Sequence, residues 1–294
     1  MNRKRVESSF ALLQEITDAA RLSSSGAEPI RLAENDLWKL PGGIVVRIAR
    51  SGQDEAAARE VAVARWLHES SVPAVRPLEM SQPIRVGGRS ATFWEQLPPH
   101  RHGSVADLAP LLRMMHSLHI PSFPIGRLDP FVRLVERLQG ARSIGTADRE
   151  WLLQRLRRLR REWDSLPDGL PQCVIHGDAW DGNCAVTDDG PLLLDFERTS
   201  VGPPEWDLTS TAVAFDTFGS LSREMYQDYC TSYGFDVMAW SGYSTLRDIR
   251  ELRLVTFALQ IGDQDVKAMH QARHRIDCVR GRCGPRPWRW EAVG

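Results

Sequence analysis

Between Ile175 and Thr199 the chain reads His176-Gly177-Asp178-Ala179-Trp180-Asp181-Gly182-Asn183, then a short apolar run, then Leu192-Leu193-Leu194-Asp195-Phe196-Glu197. Asp178 follows the strand-like run Cys173–Ile175 and a glycine, which permits an unusual backbone angle and a loop that exposes the carboxylate. Asn183 lies five residues further on and offers a neutral oxygen ligand. Asp195 comes straight off a very apolar strand at the end of a hairpin, where a carboxylate needs a cationic partner and a magnesium ion suits it. A base for a hydroxyl proton, an amide ligand and a carboxylate ligand, in this order, are what moving a phosphoryl group from a magnesium-bound nucleotide to a hydroxyl requires. That chemistry depends on positioning and charge neutralisation more than on covalent steps. His176 is expected to brace the loop by hydrogen bonding. Taken singly, each residue reads equally well as a loop polar group or a satisfied core histidine; it is their order and the flanking strands that single them out. A metal hydrolase built on His176, Asp178, Asp195 and Glu197 is the competing reading, but it lacks a histidine pair at helical spacing.

The chain before this segment divides in two. An amphipathic helix is expected at about 5–20, strands at 28–33, 36–40 and 43–49 with a Pro-Gly-Gly turn at 41–43, an Ala-rich helix at 54–69 and a strand at 90–97 ending in Pro98-Pro99. Beyond this small sheet the pattern turns helical. Ser104 is placed to cap a helix reaching His119, Asp129-Pro130 to open another, and an Arg-rich helix to cover 147–165. Short strands follow at 173–176, 184–187 and 192–195, then helices at about 204–217, 221–233, 244–261 and 264–280. The expected organisation is a nucleotide-binding lobe over residues 1–98 and a helical lobe with the catalytic loop and acceptor site over 99–294. In the third strand, alternation places Arg47 on the face of Val45 and Ala49, where a cation can meet nucleotide phosphates. Glu60 shares a helical face with Val63, Ala64 and Leu67, so it needs a buried cation, and Arg47 is the one chosen.

Composition narrows the function classes. The chain has 294 residues, 42% hydrophobic and 26% charged, with a net charge of −1, so no global field points to nucleic acid or an anionic membrane. Its cysteines, Cys173, Cys184, Cys230, Cys278 and Cys283, are odd in number and form no C-x-x-C pair, which favours reduced thiols. With no apolar run long enough to span a membrane, a cytoplasmic protein that is a monomer or homodimer is expected. The arginines at 155, 157, 158, 160 and 161 surround a face of Leu152, Leu156 and Leu159, so they read as a solvated helix surface and not as an RNA site. Cys278-x-x-x-x-Cys283 offers no further ligands for zinc, and the tail around Trp288 and Trp290 is expected to dock on the helical lobe.

These motifs resemble the aminoglycoside phosphotransferase and choline kinase-like family, which has a protein-kinase-like fold; the likeness covers about residues 28–280. His176-Gly-Asp178-x-x-x-x-Asn183 is similar to its catalytic loop, Asp195-Phe196-Glu197 to its second metal motif, and Gly202-Pro-Pro-Glu-Trp-Asp207-Leu to the segment after that motif. The resemblance implies an α+β, two-lobed fold with a small antiparallel sheet and a mainly helical second lobe. It implies Asp178 as base, Asn183 and Asp195 as metal ligands, Asp207 as support for the catalytic loop, Arg47 with Glu60 as the phosphate-side ion pair, and the backbone of Glu95, Gln96 and Leu97 as the adenine hinge. ATP, with GTP left open, and Mg2+ are the implied cofactors. The first loop, Arg31 to Leu37, has no glycine, and only Asn35 fits the family pattern there. Asp181, Glu197 and Glu251 are the expected acceptor-binding acids. Clustered carboxylates would suit an aminoglycoside-like or other cationic antibiotic; a sugar, an amino alcohol or a peptide-intermediate hydroxyl is the alternative acceptor, and a nucleotide-binding pseudokinase the alternative role.

Overall fold

The computed structural model describes residues 3–293. Helix α1 (Arg3–Ala20) opens the chain, followed by β1 (Glu28–Leu32), β2 (Asp36–Leu40), β3 (Ile44–Ile48), helix α2 (Asp54–Glu69), β4 (Ile84–Val86) and β5 (Arg89–Glu95). The strands form one antiparallel sheet in the order β1-β2-β3-β5-β4. Its buried side chains, Trp38, Leu40, Val46, Ile48, Ala91 and Phe93, close a core with Leu13 and Ile16 of α1. The register sets Arg47 opposite Leu37 on one side and Thr92 on the other, near the middle of the sheet.

Next come β6 (Arg101–His102), α3 (Val105–His116), α4 (Leu134–Gly140), α5 (Thr146–Asp164), β7 (Cys173–Ile175), β8 (Cys184–Thr187), β9 (Gly190–Leu193) and β10 (Ser200–Gly202). Then follow α6 (Glu205–Val213), a π turn (Ala214–Phe218), α7 (Arg223–Tyr233), α8 (Tyr243–Gly262) and α9 (Val266–Val279). The chain separates into two compact units, one holding residues up to 126 with His176–Ser200, the other Arg127–Ile175 with Val201 onward. In the first unit β6, β8 and β9 form a small sheet, and the segment leaving α2 runs along β9: Val75 N–H donates to Leu193 O at 3.0 Å, and Leu193 N–H to Pro73 O at 3.0 Å. The hairpin of residues 176–200 therefore packs with the N-terminal elements by contacts, whereas the division at residue 98 groups the chain by expected role. The second unit is built on α8, whose Leu246, Ile249, Leu252, Val255 and Leu259 share a core with α4, α5 and α9. No described helix is long and apolar enough to cross a membrane.

Some elements depart from expectation, each for a local reason. The strand expected at 192–195 stops at Leu193, because Asp195 adopts φ +59, a left-handed conformation that ends an extended run. The helix expected from Asp129-Pro130 begins at Leu134: the Asp129 carboxylate accepts the Phe131 N–H at 2.8 Å, closing a side-chain turn, and Arg133 at φ +64 precedes the first helical residue. The helix capped by Ser104 ends at His116, short of His119. Strands β4, β6 and β10 were not expected; at two or three residues each they are too short to show alternation.

Candidate active site

Arg47 is the centre of the site in the first unit. Its side chain, 12% exposed, ion-pairs with Glu60 on α2, lies 2.6 Å from Glu197 Oε2 and 3.5 Å from Asp195 Oδ1. One guanidinium thus faces three carboxylates. Burial lowers the affinity of Arg47 for its proton, but Glu60, Asp195 and Glu197 outweigh it and hold the guanidinium above its ordinary value. Burial pushes the Glu60 carboxyl up, Arg47 opposes this, and the unshared charge of Asp195 and Glu197 adds to it, leaving Glu60 at about 8.

The hairpin supplies the rest. His176 is fully buried; its Nε2 lies 2.8 Å from Leu194 O and its ring packs on Phe196 at 5.6 Å between centroids, tying the start of the loop to its end. Gly177 takes φ +80, and a Cβ there would collide with the Arg198 carbonyl oxygen, so the loop accepts only glycine. The Asp178 carboxylate is 41% exposed, open to a substrate, and Arg198 Nε approaches it at 3.5 Å. Asn183 ends a 3-10 turn (Asp181–Asn183), and its amide donates to Asp178 O at 2.9 Å. Asp195 combines a left-handed backbone with a buried Oδ1 that receives no hydrogen bond. Arg47 Nη2 faces that oxygen at 3.5 Å without a hydrogen bond, and a carboxylate oxygen of this kind suits a hard divalent cation.

The remaining expected residues divide between the two units. Asn35 sits in the turn between β1 and β2; its Nδ2 reaches Glu197 Oε2 at 3.5 Å, and its Oδ1 accepts the Arg50 N–H at 3.2 Å. In the segment expected to be the hinge, the Glu95 N–H donates to Arg76 O at 2.9 Å and the Gln96 N–H to Gly43 O at 2.7 Å, so those two amides are already engaged. Asp181 is exposed. Glu197, expected to face the acceptor, is instead committed to Arg47, because the turn at Asp195 directs it to the sheet. In the second unit Asp207 is buried in the first turn of α6, where a helix N-terminus favours a carboxylate. Glu251, also expected to meet the acceptor, is fully buried: Arg286 grips both oxygens at 2.7 and 2.8 Å, and Thr217 donates at 2.7 Å.

The sequence model of the phosphotransferase enzyme family (APH) matches residues 27–249. The chain belongs to that family. Among solved structures it is similar to a choline/ethanolamine kinase family protein from Mesorhizobium loti, with TM-score 0.66, 17% identity and 94% of each chain covered. It is similar to the amicoumacin kinase hAmiN in complex with AMP-PNP, Ca2+ and Ami, with TM-score 0.67, 14% identity, and 95% of this chain and 96% of that one covered. It is also similar to the aminoglycoside phosphotransferase APH(3'')-Id from Streptomyces rimosus, with TM-score 0.57, 19% identity, and 83% and 98% covered. No curated protein sequence matches it. At these identities the likeness is one of fold, the two-lobed kinase-like α+β fold with a small antiparallel sheet. The chain is a phosphotransferase enzyme.

Two residues of this phosphotransferase site carry little or no signal in the sequence. Arg198 faces Asp178, and Arg59 Nη2 donates to Glu197 O at 2.8 Å. Arg59 precedes Glu60 on α2, so the helical face that marks Glu60 as buried also brings Arg59 to its edge. Arg198 has no such marker, since it lies beyond an irregular turn.

Proposed function

We propose that this chain is an ATP-dependent O-phosphotransferase, a small-molecule kinase that moves the γ-phosphoryl group to a hydroxyl. The observation that carries the reading is the meeting of Arg47 and Glu60 with Asp195 and Glu197, on the hairpin that also bears Asp178 and Asn183. Phosphate-side cation, carboxylate ligand, amide ligand and base thus belong to one compact unit. The complex of hAmiN with AMP-PNP and Ca2+ supports use of a nucleotide with a divalent cation.

Asp178 accepts the acceptor's proton as its oxygen attacks, and Arg198 orients that carboxylate. Arg47 pairs with nucleotide phosphates while Glu60 fixes it from behind. Asn35 steadies the first turn against Glu197, and the segment Glu95–Leu97 meets the base. Asn183 and Asp195 would hold the cation, Mg2+ by their oxygen chemistry, and when bound it would offset phosphate charge. His176 and Asp207 are positioning residues. In this reading residues 1–98 bind nucleotide and 99–294 carry the catalytic loop and the acceptor site.

A cationic antibiotic is the acceptor that clustered free carboxylates would favour. A specific observation favours the other reading, a sugar, amino alcohol or peptide-intermediate hydroxyl: three acids of the second unit, Glu251 among them, are paired within it. Glu251 is held by Arg286, Asp248 by Arg155 at 2.9 Å, and Asp216 by Arg247 at 3.2 Å. Asp181, next to the half-exposed Trp180, stays exposed and is the acid nearest in sequence to Asp178. An ADP-release assay with ATP or GTP and a panel of cationic and neutral alcohols tests both readings. Asp178→Ala is expected to lower turnover by about 10²–10⁴-fold with nucleotide binding retained. Unchanged turnover in that variant sinks the mechanism, and nucleotide binding without turnover of any acceptor would mark a pseudokinase.

A further inference from the structure

Helix α9 carries His274 and Cys278 four residues apart, which places them on one face. The chain then turns through Gly281 at φ +78 and returns Cys283 to the same spot. One ligand atom from each of the three side chains lies within 4.8 Å of the others. The Cys278-x-x-x-x-Cys283 pair, which lacks partners when read along the sequence, has one in space, because helical spacing is invisible to a search for cysteine pairs alone.

The geometry is that of a cation site. Cys278 Sγ lies 3.6 Å from His274 Nε2 and 3.9 Å from Nδ1. A sulfur at about 2.3 Å and a nitrogen at about 2.0–2.1 Å from a tetrahedral zinc are about 3.6 Å apart, so Cys278 Sγ and His274 Nδ1, at 3.9 Å, lie close to one edge of such a tetrahedron. His274 Nε2 also lies 3.4 Å from Trp288 O. Ligation through Nδ1 leaves the Nε2–H to donate to that carbonyl, an arrangement that fixes the tautomer and ring angle of metal-bound histidines. Cys278 is buried while His274 and Cys283 are exposed, so an ion can enter from solvent and keep its fourth position for water.

We propose that His274, Cys278 and Cys283 form a binding site for a thiophilic d10 cation, Zn2+ in the first instance. Two thiols and an imidazole choose such an ion over the hard Mg2+ of the nucleotide site. The ion would fasten the root of the tail that runs on to Arg286 and Trp290. None of the three side chains belongs to the nucleotide or acceptor site.

The test uses tag-free, fully reduced protein titrated with Zn2+ and, separately, Co2+. Intact-mass measurement under native conditions is expected to find one zinc per chain, and Co2+ to give thiolate charge-transfer absorption. Zinc is expected to raise the melting temperature of the parent protein. Cys283→Ser, at an exposed position where packing is undisturbed, is expected to lose the zinc, the absorption and the shift, and His274→Ala to do the same. Equal zinc uptake by the parent and Cys283→Ser, no uptake at micromolar Zn2+, or a Cys278–Cys283 disulfide in the reduced preparation would each overturn the proposal.

Discussion

At the scale of the residue, Arg47 decides most. It is one buried cation against three carboxylates, and removing it strips Glu60, Asp195 and Glu197 of their shared partner. Arg47→Ala is therefore expected to lower both the unfolding free energy and nucleotide affinity. Arg47→Lys should restore part of the stability but less of the affinity, because a point charge cannot fork between carboxylates; denaturant melts and nucleotide titrations check this. Glu60 gives a pH signature. Its carboxyl sits at about 8 in the folded chain against an ordinary 4.5, so between those values the folded state binds the extra proton. The stability it contributes is full below about 4.5 and lost as pH rises through about 8. The melting temperature of ligand-free protein should fall over that window, and Glu60→Gln should flatten the fall. The Arg47–Glu60 pair was legible in the sequence because strand alternation and a helical apolar face each pointed inward. The engagement of Glu197 was not, since nothing in a sequence reveals that Asp195 turns left-handed and swings Phe196 and Glu197 into a new direction.

At the scale of the element, the catalytic loop is held by its ends and not by regular structure. Gly177 is the hinge of that arrangement: Gly177→Ala meets both a positive φ and the Arg198 carbonyl. It is expected to displace Asp178 and reduce kcat more than KM for nucleotide, which steady-state kinetics would separate. Helix α3 gives a simpler case. Ser104 and Asp107 form a reciprocal cap at its N-terminus, the Ser104 hydroxyl accepting the Asp107 N–H and the Asp107 carboxylate accepting the Ser104 N–H. Ser104→Ala should cost about 0.5–2 kcal/mol in urea unfolding without touching turnover. Elements with strong period were legible: α2 spans the residues its apolar face predicts, and Ser104 is the cap its position implies. The late start of α4 and the early end of β9 were not, because a single Asp129-to-backbone bond delays the first and one left-handed residue, Asp195, ends the second.

At the scale of the whole chain, both compact units are discontinuous in sequence. His176–Ser200 returns to complete the first, and the tail completes the second. Trp290 is 4% exposed among the residues of the α8 core, and Arg275 N–H groups bond Leu254 O and Glu291 O across it. Trp290→Ala is expected to cost about 3–5 kcal/mol, as for other buried aromatic truncations, read by thermal or chemical unfolding. Docking of the tail through its tryptophans was legible from composition. The pairing of Arg286 with Glu251 was not, since the two stand 35 positions apart in sequence with no shared period.

The placement of Trp290 also bears on how the chain is made. The core of the second unit lacks its last large side chain until residue 290 has been synthesised and has left the ribosome. A folding order that starts from the N-terminus therefore leaves α8 and α9 with an open apolar seam from their own synthesis until residue 290 emerges. Truncation just before Arg286 would remove Trp290 and the two-pronged partner of the buried Glu251, so such a product is expected to be recovered as aggregate.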